Sequence, residues 1–134
     1  RVKQLAKDAE WHTHDVDSKI ASLKFNVNGV SQMLLIVDYG SVWEFSCHAV
    51  PSLAKPTEFP PGILAYLLVR NAKVKHGFWC IEEISGDCYL TFMHNIASED
   101  LDPDRFYKLC WHVVRELTRL EARFAALGEM MSVF

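Results

Sequence analysis

Cys47 and His48 are the first side chains in this chain that invite chemistry, because a thiol beside an imidazole is the smallest nucleophile and base. They sit in an alternating run, however, and successive strand residues point to opposite faces, so the two side chains should diverge. The four cysteines, Cys47, Cys80, Cys88 and Cys110, are spaced by 33, 8 and 22 residues. Those intervals match no zinc pattern and no small disulfide scaffold, so buried free thiols are expected. Apolar surroundings around Cys80 and Cys110 would keep them inert. Of the six histidines, His12 and His14 share a face if their segment is extended, with Asp15 and Asp17 close by. Two ligands without a third make a weak site, and a solvated connector is the reading preferred. Neither a catalytic nor a metal-binding residue is therefore assigned, and no cofactor is expected.

Arg70 and Asn71 close an apolar helical segment, where a guanidinium and an amide would hold a backbone carbonyl or carboxylate of a partner. In the competing reading Asn71 caps its own helix and Arg70 stands in solvent. Arg115, Arg119 and Arg123 recur every four residues, but Glu116 and Glu121 interrupt them and no glycine-rich phosphate loop accompanies them. A solvated helix face with ion pairs fits better than a phosphate site. The aromatics Trp43, Tyr66, Trp79 and Trp111 would line a groove for an extended peptide, or simply pack the core.

Positioning these groups requires a framework, and periodicity supplies one. Ala21, Leu23, Phe25 and Val27 alternate with polar residues, and Asn28-Gly29 follows as a hairpin signal. Gln32 to Val37 is apolar on both faces, and Trp43, Phe45, Cys47 and Ala49 alternate again, completing a three-stranded meander. Val2, Leu5, Ala6 and Ala9 suggest a short opening helix ending near Trp11, with the polar residues 12–17 as a connector. Four of the five prolines fall between Pro51 and Pro61, a loop that leads into a helix from Gly62 to Lys73, apolar nearly all round. Such a helix should be covered on more than one side. Phe78 to Ile84 and Cys88 to Ile96 form a second hairpin. A Gly86-Asp87 loop would set Trp79 against His94 and Cys80 against Met93. Asp102-Pro103 starts the last helix and Gly128 should stop it, leaving an apolar tail of Met130, Met131, Val133 and Phe134. Phe106, Cys110, Val113, Leu117, Leu120, Phe124 and Leu127 make one stripe on that helix, and Tyr107, Trp111 and Val114 a second. The expected fold class is α+β, an antiparallel sheet of about five strands with packed helices in the order α-β-β-β-α-β-β-α, within one domain spanning residues 1–134.

Several segments resemble the YbjN family of candidate bacterial sensory-transduction regulators, within the type III secretion chaperone-like fold. Val42-Trp43-Glu44-Phe45-Ser46 is similar to the family's third strand, and Leu67-Leu68-Val69-Arg70-Asn71 to the end of its leucine-rich helix. Gly77-Phe78-Trp79-Cys80-Ile81-Glu82 is similar to the opening of the fourth strand, with Glu82 where Asp is common, and Gly86 through Phe92 to the fifth. The resemblance runs from Trp43 to about Glu121. It implies a small, often dimeric, non-enzymatic protein; the secretion chaperones of this fold hold an extended client segment on apolar patches.

Composition agrees with a globular protein and narrows its partners. Of 134 residues 50% are apolar and 23% charged, and the net charge of −3 argues against a nucleic-acid binder. No stretch approaches the roughly 18 apolar residues of a membrane span, and Arg1-Val2-Lys3-Gln4-Leu5 carries no apolar signal region, so a cytoplasmic location is expected. The apolar helix, the two-faced strand, the doubled stripe and the tail exceed what one sheet–helix interface buries, which points to association. A chaperone-like or regulatory protein-binding module follows, as a homodimer or with a client peptide, contacting its partner through Trp43, Leu64, Leu67 and Leu68, with Arg70 and Asn71 as polar anchors. Addition of a partner strand to a sheet edge is a second mode. The alternative is a small-molecule sensor or enzyme with a pocket between the sheet and the last helix, which needs a cluster of convergent polar groups that the sequence does not display.

Overall fold

The computed structural model describes residues 1, 4–6, 13–15, 19–27, 29–49 and 52–131, with residues 13–15 and 126–131 described by backbone alone. Residues 4–6 form a helical turn, and its expected continuation to Trp11 lies outside the described residues, as does the tail beyond Met131. Six strands follow: β1 (Thr13–Asp15), β2 (Ile20–Val27), β3 (Val30–Asp38), β4 (Val42–His48), β5 (Phe78–Ile84) and β6 (Asp87–Ala97). Helix α1 (Pro61–Lys73) separates β4 from β5, and α2 (Pro103–Met131) follows β6. The sheet is antiparallel throughout, in the order β1-β2-β3-β4-β6-β5. Five strands are those read from periodicity. The sixth, β1, lies in the segment expected to be a connector and pairs Thr13 with Leu23 on the edge. Three residues are too few for alternation to show.

The first hairpin has the register expected of it, since Val27 faces Val30 and Gly29 takes a positive φ of 82°. The second corrects the expected register by two residues: Trp79 faces Phe92, Cys80 faces Thr91 and Ile84 faces Asp87. The loop is Ser85-Gly86, both with positive φ, as a two-residue turn with the strand's own twist requires. A shift of two preserves the faces, so Trp79, Ile81, Leu90 and Phe92 still share one side. Gly77, at the entrance to β5, has φ +100°, and a Cβ there would lie 2.6 Å from the Phe92 ring and 2.8 Å from the Met93 carbonyl oxygen. Only glycine lets the chain approach β6 so closely.

The core lies between one face of the sheet and the two helices. Leu23, Leu34, Ile36, Phe45, Leu90 and Phe92 meet the α2 stripe of Phe106, Cys110, Val113, Leu117 and Leu120. Each of those large side chains contributes about 1.5–3 kcal/mol by burial. Phe45 sets its ring edge-on to Phe106 at 5.9 Å, and Phe25 meets Trp111 at 5.1 Å. The second α2 stripe is thus partly used within the chain: Val114 is buried and Trp111 half-buried, while Tyr107 is exposed. Asp102 caps α2 by accepting the Arg105 N–H at 2.8 Å. The helix passes through Gly128 to Met131 rather than stopping there. Glycine costs about 1 kcal/mol inside a helix and ends one only when it adopts the left-handed cap.

Candidate partner-binding surface

Helix α1 is not enclosed. Ile63 and Leu67 are buried, but Leu68 is 72% and Val69 57% exposed, so the expected cover on several sides is absent among the described residues. The helix lies at the margin of the sheet beside β5, with room beneath one face only. Its run of leucines resembled an enclosed helix because hydropathy alone does not reveal how near the edge an element sits.

The polar end of α1 is organised inward. Arg70 grips Glu116 on α2 with both arms, Nη2 to Oε1 at 2.5 Å and Nε to Oε2 at 3.3 Å, while the Trp79 indole N–H donates to Oε2 at 3.3 Å. Burial alone would raise the Glu116 carboxyl, but the Arg70 hydrogen bonds and charge, the indole and Arg119 hold it below the ordinary carboxylate range. Asn71 donates from Nδ2 to the Trp79 carbonyl at 3.0 Å and accepts the Trp79 N–H on Oδ1 at 2.6 Å. Neither expected reading describes this. Asn71 bonds backbone eight residues away rather than capping its own helix, and Arg70 is tied to a buried carboxylate rather than offered to a partner or to solvent.

Of the contact residues expected from the sequence, Leu64, Leu67, Leu68 and Asn71 come together. They line an open groove of about 310 Å³ with Trp79, Ile81 and Leu90 of the sheet. Within it Leu68 and Ile81 are exposed and Leu64 half-buried, whereas Leu67 is only 5% exposed and forms the floor. Trp43 is corrected outright. It is 3% exposed, faces the core, and carries the Arg1 guanidinium 5.7 Å above its ring. Alternation placed it on the inward face, and α2 covers that face. Trp79 is buried too, so the four aromatics form no groove.

The groove opens on a sheet edge. β5 is the last strand, and the backbone groups of Trp79 that point away from β6 are those taken by Asn71. Outward groups alternate along an antiparallel strand, so Ile81 and Glu83 present the next ones. The edge is therefore plugged at one end and open at the other. Additional apolar surface lies on the sheet's second face, where Met33, Val42, Phe78 and Ile84 are exposed.

The remaining candidates resolve individually. Cys47 is fully buried on the core face, and burial drives its thiol far up. His48 is on the opposite face, its Nδ1 2.7 Å from Thr91 Oγ1 and 3.5 Å from Glu82 Oε1, so the pair diverges as alternation requires. All four cysteines are free. Arg115 stacks on Trp111 at 5.6 Å, Arg119 lies 3.9 Å from Glu116, and Arg123 stacks on Tyr66 at 5.2 Å, which divides the basic ridge among separate partners. The His12 and His14 side chains lie outside the described residues. One cluster escaped sequence reasoning: His76, His94 and His112 converge between the sheet and α2. They come from a loop, a strand and a helix, and no local spacing announces them.

An antiparallel sheet with two helices on one face, the N-terminal turn packed into the core and a free strand edge defines the class of fold. No protein-family model matches the chain, and no curated protein matches it. Among solved structures the chain is similar to YbjN from E. coli, described there as a candidate transcription regulator. The TM-score is 0.67 at 13% identity, over 95% of this chain and 90% of that one. The fold is YbjN-like, as the resemblance of the strand and helix segments implied.

Proposed function

We propose that this protein is a non-enzymatic regulatory module that binds a protein partner along α1 and the open end of β5, as a homodimer or with an extended client segment. The observation that carries the reading is that Leu68 and Ile81 are both exposed in the groove beside an edge strand with an open end. An incoming strand would pair with the outward groups of Ile81 and Glu83 and lay its apolar side chains between Leu64 and Leu68. Native edges are commonly blunted by lysine, proline or a bulge, and residues 81–84 contain neither lysine nor proline. The likeness to a candidate regulator supports a regulatory role, and the absence of a nucleophile–base pair at Cys47-His48 favours binding over catalysis.

Sedimentation velocity of the purified protein, with mass spectrometry of what copurifies, tests this. A dimer or a defined protein complex is expected, dissociated by Leu68→Glu or Ile81→Lys while the circular dichroism stays unchanged. A strict monomer with no protein partner refutes the reading. Assembly unaffected by both substitutions removes the groove from it.

A further inference from the structure

The space between β6 and the first half of α2 has a composition the partner-binding reading does not use. His76, His94, Arg105, Lys108 and His112 line a cleft of about 530 Å³ whose apolar wall is Ile96 and Leu109. That volume suits a metabolite-sized molecule. The His76 ring lies 6.0 Å from His94 and 6.2 Å from His112, centre to centre. His112 donates from Nε2 to the His76 carbonyl at 2.6 Å, which fixes its ring and ties the loop to the helix. Among the described residues, the ring nitrogens of His76 and His94 make no hydrogen bond.

Every titratable side chain lining the cleft is cationic or becomes so on protonation. The nearby acids, Asp102 and Asp104, stand on the exposed first turn of α2, 3.9 Å from Arg105 and 3.0 Å from Lys108. Arg105, Lys108 and His112 recur at intervals of three and four, so one face of the helix aims all three into the cleft. They occupy its first three turns, and the positive end of the helix dipole disfavours cations at the first of these. Burial first, and then the neighbouring His76 and His112 imidazoles, depress the His94 pKa. A metal ion fits less well: among the described residues no three His, Cys, Asp or Glu side chains are placed to hold one.

We infer that this cleft binds a phosphorylated small molecule, its phosphoryl oxygens held by Arg105, Lys108 and the His76 and His94 imidazoles and its body resting on Ile96 and Leu109. A phosphoryl group offers three oxygens to donors arriving from a loop, a strand and a helix, more than a carboxylate can use. The ligand would join all three elements, and the loop of His76 that it ties down leads from α1 into β5.

Isothermal titration of the full chain with AMP and with inorganic phosphate tests the inference, with imidazole proton NMR to locate binding. AMP is expected to bind more tightly than inorganic phosphate and to shift the His76 and His94 resonances. The exposed double variant Arg105→Gln with Lys108→Gln should weaken AMP at least tenfold, as loss of charged hydrogen bonds predicts. His76→Asn should weaken it less, and circular dichroism should be unchanged in both variants. No binding of either probe at about 10 mM, a weak limit on any affinity scale, overturns the inference. So do unmoved histidine resonances, undiminished binding by the double variant, inorganic phosphate binding as tightly as AMP, or zinc displacing both probes from the rings. None of these outcomes depends on the oligomeric state, so this site and the partner groove stand or fall separately.

Discussion

The Asn71 side chain does for Trp79 what a neighbouring strand would do: its amide gives one hydrogen bond to the Trp79 carbonyl and takes one from the Trp79 N–H. A helix thereby closes part of a sheet edge. Asn71→Ala should remove both bonds and cost about 1–3 kcal/mol, measured by urea denaturation. It should also lengthen the open edge, so that self-association or aggregation rises relative to the parent chain at equal concentration. Asn71→Asp keeps the acceptor but loses the donor, and should fall between.

The Arg70–Glu116 pair and the half-buried histidines make stability depend on pH in one direction. His48 and His94 are both depressed below the ordinary 6.5, by burial first, with His76 and His112 adding to the effect at His94. The unfolded chain therefore takes up their protons first, and stability falls as the pH drops below about 6.5. Glu116 is held below its ordinary 4.5, so its contribution is complete above that pH and is lost on further acidification through the folded value. Glu44, raised by burial and by Glu82, works the opposite way and softens the acid limb. Denaturant midpoints at pH 7.5, 5.5 and 4 should decline in that order. His94→Gln should flatten the first decline and Glu116→Gln the second.

Arg70→Ala leaves the Glu116 carboxylate buried with only the Trp79 indole N–H and the more distant Arg119 beside it. A loss of roughly 2–4 kcal/mol is expected, near what removal of one partner from a buried pair costs. A smaller loss would mean that water or Arg119 replaces the guanidinium.

Gly77→Ala should be the most damaging conservative change in the second hairpin. The new methyl meets the Phe92 ring and the Met93 carbonyl, and the backbone has a φ that alanine resists. Strain and overpacking together suggest about 3 kcal/mol, visible as a lowered melting temperature. Gly86→Ala also has positive φ but open space around it, and should cost less.

Thiol alkylation should be slow in the native state. Cys47, Cys88 and Cys110 are buried, and burial with Glu82 and Glu44 pushes the half-buried Cys80 up to about 11. At pH 7 only about one Cys80 in ten thousand is then thiolate, the reactive form. Iodoacetamide followed by mass spectrometry should label all four cysteines only after unfolding. Rapid native labelling of Cys80 would show that its surroundings are more open.

Much of the framework follows from local rules. Alternation in Ala21 to Val27 and Trp43 to Ala49 located two strands and their inward faces, Asn28-Gly29 set the first register, and Asp102-Pro103 marked the start of α2. These features depend on neighbours in the chain, which a sequence displays directly. The second register failed because both Ser85-Gly86 and Gly86-Asp87 satisfy turn composition, and only cross-strand packing chooses between them. Leu64, Leu67, Leu68 and Asn71 line one groove, but which leucine points outward depends on where the helix lies against the sheet.

The sequence by itself therefore determined five of the six strands, the two long helices and the faces of the strands, because periodicity is a local property, while the resemblance of its segments to the YbjN family implied the fold. Tertiary structure alone decided that Arg70 reaches Glu116 across 46 residues and that Asn71 plugs the edge at Trp79. It also decided that His76, His94 and His112, each separated from the next by 18 positions, face one cleft. Contacts between distant segments follow from how helices settle on a twisted sheet, and that geometry arises from the packing of the whole chain.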